Sequence, residues 1–310
     1  MSHRTHCLPL LAFALLALPA SAAAKTPPLR FYEAPASVPA HGKVLKSMPI
    51  SGGVLPANGR AQLVLYSSQG IDGSNIAVSG IVVLPRGRKP KGGFPVVSWA
   101  HGTTGIADVC APSRSATDRV DNDYDRSFRR QMSQWLARGW AVALTDYQGL
   151  GTAGLHQYLV GEAEGRAGVD IVSAARGLSR KVGTRWAAIG HSQGGHAALW
   201  AAALGPDYAP DLELEGVVGV APASHIGEQA AVIDTIEGNP FGGLPALIIA
   251  GVLDAAGSDP ATALSDQALA LYPQVDQVCL DRLSEPDSFG GLPLSEHFRE
   301  GYDTGQLVAL

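Results

Sequence analysis

The segment Gly190-His191-Ser192-Gln193-Gly194-Gly195 constrains the fold of this chain more than any other. It follows the apolar run Trp186 to Ile189 and precedes the helical pattern Ala197 to Leu204. A Gly-x-Ser-x-Gly turn between a strand and a helix is sterically demanding. The serine backbone must bend sharply, and glycines at 190 and 194 remove side chains that would collide with the turn. Such a turn belongs at the end of a buried strand, in a sheet covered on both faces.

The rest of the chain agrees with that requirement. Leu63 to Tyr66 and Ile76 to Leu84 read as strands, separated by a turn at Ile71-Asp72-Gly73. Phe94 to Ala100, Ala141 to Leu144 and Leu214 to Val220 are further short apolar strands. Helical spacing is found over Phe128 to Arg138, and from near Gly161 to Leu178. Short buried strands alternating with helices predict a mostly parallel sheet between helical layers. Residues 25–60, rich in Pro, Gly and Ala, read as an irregular lead-in. Residues 225–310 lose the alternation and carry many prolines, as expected of a cap or lid. The domain reading is therefore 1–24 leader, 25–224 core and 225–310 lid.

Composition narrows the function. The 310 residues are 46% hydrophobic and 16% charged, which excludes a disordered chain. The net charge of −5 gives no electrostatic footprint for nucleic acid. Residues 1–24 have the form of a secretory signal peptide: Arg4, an apolar run from Leu8 to Leu18, and small residues around Ala22 and Ala24. That predicts a secreted protein, extracellular or periplasmic. Cys7 would leave with the leader. Cys110 and Cys279 then form either a disulfide or two separate buried thiols. No Cys-x-x-Cys spacing exists, so no metal site is expected.

Ser192 is the candidate nucleophile, exposed at the top of the sheet. The helix that follows aims its free N–H groups at the same place, which favours developing negative charge. The Gln193 N–H is one candidate oxyanion donor. The second should come from the loop after an earlier strand. His101-Gly102-Thr103-Thr104-Gly105 lies there, and the Thr103 N–H is the candidate.

These segments, with Cys110-Ala111-Pro112-Ser113 and Asp146-Tyr147-Gln148-Gly149-Leu150-Gly151, resemble the secretory lipase family of the lipase A type, within the α/β-hydrolase superfamily. The resemblance runs from about residue 30 onward. It implies an α/β-hydrolase fold with an inserted helical lid after Val220, hydrolysis of lipid or short acyl esters, no cofactor, and a Cys110–Cys279 disulfide. Transient contact of the lid with a lipid interface is a further implication.

A serine nucleophile needs a His base and a carboxylate partner, in the chain order Ser, acid, His. Two readings are open. In one, the lid fills the last 90 residues and the core lacks its last strands, so acid and His are missing; Gln306 to Leu310 then reads as an element cut short. This reading is preferred. In the other, Leu247 to Leu253 is a strand ending in Asp254, and His297 is the base. Against it, Leu244 to Ala256 makes a good apolar helix, and His297 between Glu296 and Phe298 reads as exposed loop. His196 reads as a packing residue, and His191 as pointing away. Beside the hydrolase, the sequence admits an inactive remnant or acyl-ligand binder, and a serine peptidase on the same fold.

Overall fold

The computed structural model describes residues 27–118, 122–226, 228 and 242–303. The readings of residues 1–24, of Cys7 and of Gln306 to Leu310 lie outside them. Seven strands form one sheet: β1 (Val44–Ile50), β2 (Gly59–Gln69), β3 (Asn75–Pro85), β4 (Phe94–Ala100), β5 (Ala141–Thr145), β6 (Val182–His191) and β7 (Glu213–Val220). Their order is β1-β2-β3-β5-β4-β6-β7. The first three form an antiparallel meander, and β3 pairs antiparallel with β5. The β5, β4, β6 and β7 strands are parallel, so five of the seven point the same way. The mostly parallel reading holds.

The lead-in over 25–60 is corrected. It contains β1, an edge strand paired on one side only with β2. Lys46, Ser47 and Pro49 interrupt its apolar pattern, as an edge strand tolerates.

Helices cover both faces. On one, α3 (Gly161–Leu178) and α4 (Gln193–Tyr208) pack on Val64, Val82, Phe94, Val96 and Trp186. Burying each large apolar side chain contributes roughly 1.5–3 kcal/mol. The Gly-rich start of α3 has a packing reason. A Cβ at Gly161 would meet the Trp200 indole, and one at Gly165 would press on the backbone of Trp200 and Ala201 in α4. On the other face, α2 (Asp123–Ala137) buries Met132 and Leu136 against Leu63, Leu65 and Val142.

The short α1 (Pro112–Ser115) leads into α2. After β7 the chain turns helical. Residues 242–303 hold α5 (Leu244–Ala255), α6 (Asp266–Leu271) and α7 (Leu280–Leu283), linked by short 3-10 turns. A buried cluster around Leu247, Leu253, Leu264, Leu283 and Phe289 joins this segment to Ile106 and Tyr158 of the core. The apolar character of α5 on nearly all sides follows from that burial.

Candidate active site

Strand β6 lies between β4 and β7 and runs directly into Ser192. Ser192 has φ 56° and ψ −119°, a conformation that costs a non-glycine residue about 1–3 kcal/mol. Its surroundings enforce it. The Ser192 N–H donates to Val220 O at 2.9 Å, and Ser192 O accepts from the N–H of Ala223 and of His196, both at 3.2 Å. Strand β7 and helix α4 thus hold the turn by its backbone. The glycines are required by close approach: a Cβ at Gly190 would strike Gly194 O, and one at Gly194 would strike Ala100 O. Both obstacles are backbone and cannot swing aside.

The loop that leaves β4 passes beside the serine. A Cβ at Gly102 would lie 3.6 Å from Ser192 Cβ. Thr103 Oγ1 is 2.6 Å from the Tyr158 hydroxyl, and Thr104 O accepts from the Leu280 N–H at 2.9 Å. The loop is therefore fixed from the core side and from the helical segment. Cys110 and Cys279 form a disulfide, with Cα atoms 5.5 Å apart, and it abuts Gly105. Gln193 opens the helix that follows Ser192, and Thr103 lies on the loop whose Gly102 is beside the serine.

A polar network lies under this turn. Gln193 is fully buried. Its side-chain N–H groups donate to Glu164 Oε1 and to His156 Nε2, both at 2.7 Å. His156 Nδ1 donates to Gln148 O at 2.8 Å, which fixes the tautomer that leaves Nε2 as acceptor. Burial lowers the His156 pKa, keeping the ring neutral. Glu164 also accepts from the Leu159 N–H at 3.0 Å and from His196 Nδ1 at 2.9 Å. With both N–H groups of Gln193 so committed, its side-chain oxygen is buried without a partner, at a cost of about 1–3 kcal/mol.

Sequence reading singled out neither Glu164 nor His156. The available signal was a carboxylate on the apolar side of α3, one turn before Ala167 and Gly168. His196 does pack, as read, but its partner is this buried acid.

His101 is buried beside Tyr147, whose hydroxyl donates to His101 O at 2.8 Å. Burial pushes the His101 pKa down to about 4, so the ring is a neutral structural group. Asp146 accepts from Ser79 Oγ at 2.6 Å and from the Ser113 N–H at 3.0 Å, and burial raises its pKa to about 6. The Cys-Ala-Pro-Ser and Asp-Tyr-Gln-Gly segments thus clamp each other.

Asp254 lies in the last turn of α5, not at a strand end, and accepts from Gln157 Nε2 at 3.2 Å. His297 is buried rather than exposed. It bonds to Pro293 O at 3.0 Å and stacks on Phe289. Neither bond involves Ser192.

The family model for secretory lipases matches residues 125–279, which is 155 of the 310 residues. The chain belongs to the secretory lipase family. A relative from Mycobacterium tuberculosis, named a probable inactive lipase, is 28% identical over 220 residues, covering 68% of this chain and 48% of its own. Lipase A of Moesziomyces aphidis is 27% identical over 235 residues, covering 72% of this chain and 48% of its own. The chain thus spans about half the length of the curated relatives it matches. The closed-state structure of Candida antarctica lipase A superposes with a TM-score of 0.74 at 21% identity, over 92% of this chain and 67% of that one. At that identity the likeness establishes the α/β-hydrolase fold.

Proposed function

We propose that the protein is a secreted serine hydrolase of carboxylic esters, acting on lipid or short acyl esters. The observation that carries this reading is the strained Ser192 backbone between β6 and α4, with Gly102 of the β4 loop beside it. In this reading Ser192 Oγ attacks the ester carbonyl and gives its proton to a base. The N–H groups of Gln193 and Thr103 take the charge that develops on the carbonyl oxygen. The alcohol leaves with a proton, and water then releases the acyl group from Ser192. Residues 242–303 act as a lid, an assignment supported by their disulfide and backbone link to the β4 loop. Membership of a secretory family and the leader-like first 24 residues support export.

In the less favoured of the two triad readings, chain order assigns Asp254 and His297 as acid and base. In this structure Asp254 accepts from Gln157 and His297 bonds to Pro293 O.

A second reading is an acyl-ligand binder without turnover. It is favoured by the backbone-only hydrogen bonds of Ser192 among the described residues, and by the name of the mycobacterial relative. Hydrolysis of a short-chain nitrophenyl ester by the wild type and by Ser192→Ala separates the two. An oxyanion hole and binding alone supply roughly 10³–10⁴ over water. A rate above that, lost in Ser192→Ala, supports the hydrolase, and Asp254→Asn and His297→Ala then test the assigned acid and base. Equal rates in folded protein support the binder.

A further inference from the structure

We propose that Glu164 is a positioning residue for the oxyanion hole, acting through the side chain of Gln193. The inference rests on the hydrolase reading above, because it names what holds one of that reading's donors. Gln193 is the first residue of α4, and its N–H is the group assigned to the oxyanion. Its side chain points down into the protein, where Glu164 of α3 and His156 of the preceding loop each take one N–H at 2.7 Å. Two hydrogen bonds from one planar amide fix its plane as well as its direction. The amide is joined to its own backbone by only two methylene groups. Fixing it therefore limits rotation of the first turn of α4 and the aim of the backbone N–H.

The same network reaches the other side of the hole. The His156 ring stacks on Tyr147 with ring centres 5.5 Å apart and planes 7° apart. The Tyr147 hydroxyl holds His101 O, the first carbonyl of the loop that carries Thr103. One contiguous set of buried groups thus connects Glu164 to both elements that supply donors. Glu164 touches neither Ser192 nor the position of the oxyanion, so its action is through Gln193 and His156. Its charge is shared among N–H groups from Gln193, Leu159 and His196. A bare carboxylate so close below an oxyanion would oppose the charge developing there. The structure instead presents a carboxylate surrounded by donors.

The test compares Glu164→Leu, Glu164→Gln and Gln193→Leu with the wild type. The readouts are kcat and KM for a nitrophenyl ester, melting, and crystal structures. Removing one oxyanion donor outright costs on the order of 10²–10³ in kcat. A misaimed donor should cost less, so Glu164→Leu and Gln193→Leu are each expected to lower kcat by roughly tenfold or more, with KM within about twofold. The double variant should lose little beyond either single one. Glu164→Gln keeps one acceptor oxygen for Gln193 and should recover most of kcat.

A purely structural role predicts lower melting temperatures with wild-type kcat and an unmoved Gln193 N–H, and that result overturns the inference. Should Glu164→Leu fail to fold, Gln193→Leu interrogates the same link from its other end. A wild type inert toward the ester counts against the hydrolase reading instead. The crystal structures then decide: a displaced Gln193 N–H or 101–105 loop supports the positioning role, and an unmoved pair refutes it.

Discussion

At the residue scale, Ser192 and its glycines show how a function-bearing turn stores strain. Replacing Ser192 by glycine relieves about 1–3 kcal/mol of backbone strain. It also loosens the unfolded chain, at about 0.4–1 kcal/mol. The first effect is larger, so Ser192→Gly should raise stability by roughly 1 kcal/mol, read from the urea midpoint. Gly194→Ala should do the opposite and lower stability by about 3 kcal/mol or more, because its Cβ meets the Ala100 carbonyl. The buried ionisable residues act on stability through pH. His101 titrates near 4 when folded and near 6.5 when unfolded, so its contribution is lost as pH falls from 6.5 to 4. Asp146 titrates near 6 when folded and near 3.8 when unfolded, so its effect is reversed: stability falls as pH rises through that window. The two largely cancel between pH 4 and 6. Asp146→Asn should unmask the His101 effect and give a steeper acid loss of stability than the wild type. Urea unfolding at a series of pH values would show this, and parallel pH profiles would refute it.

At the element scale, the helical segment 242–303 depends on long-range ties. The Cys110–Cys279 disulfide joins residues 169 positions apart. Closing so long a loop is worth on the order of 4–5 kcal/mol in the chain-entropy description. Reduction should therefore loosen this segment before the sheet. Limited proteolysis with reductant is expected to cut within 242–303 while the core strands stay protected. Simultaneous loss of both regions would show that the segment is no separate unit. The same element explains a misreading. His297 sits between Glu296 and Phe298, and nothing local marks it as buried; its burial comes from Phe289, which a separate 3-10 turn places against its ring. Strand β1 was missed for a related reason. An edge strand pairs on one side only, so Lys46 and Pro49 are tolerated and the alternation that marks a strand is broken.

For the whole molecule, the informative feature is the far end of the sheet. Among the described residues the sheet ends at β7, where Val217, Val218 and Val220 are exposed, and the exposed Leu199 of α4 lies beside Gly219 of that strand. An apolar sheet edge with unpaired N–H and C=O groups invites pairing with another chain. The isolated chain should associate with rising concentration, and Val218→Lys should shift it toward the monomer. Sedimentation velocity over a concentration series would show this. A monomer at all concentrations would mean that the edge is protected.

The sequence by itself determined the elements that depend on local sterics and period. The glycines around Ser192 have one workable placement, at a strand end before a helix, and the apolar runs at 94–100, 141–144 and 186–189 can bury both faces only inside a covered sheet. Tertiary structure decided what surrounds the serine. Glu164, Gln193, His156 and Gln148 come from three separate stretches of chain, and nothing in the spacing of any one shows that they meet. Placing a carboxylate and two histidines beneath the turn depends on how α3 and α4 approach each other through Gly161 and Gly165. That approach is a property of the packed core, because close packing fixes distances between segments that the chain alone leaves free.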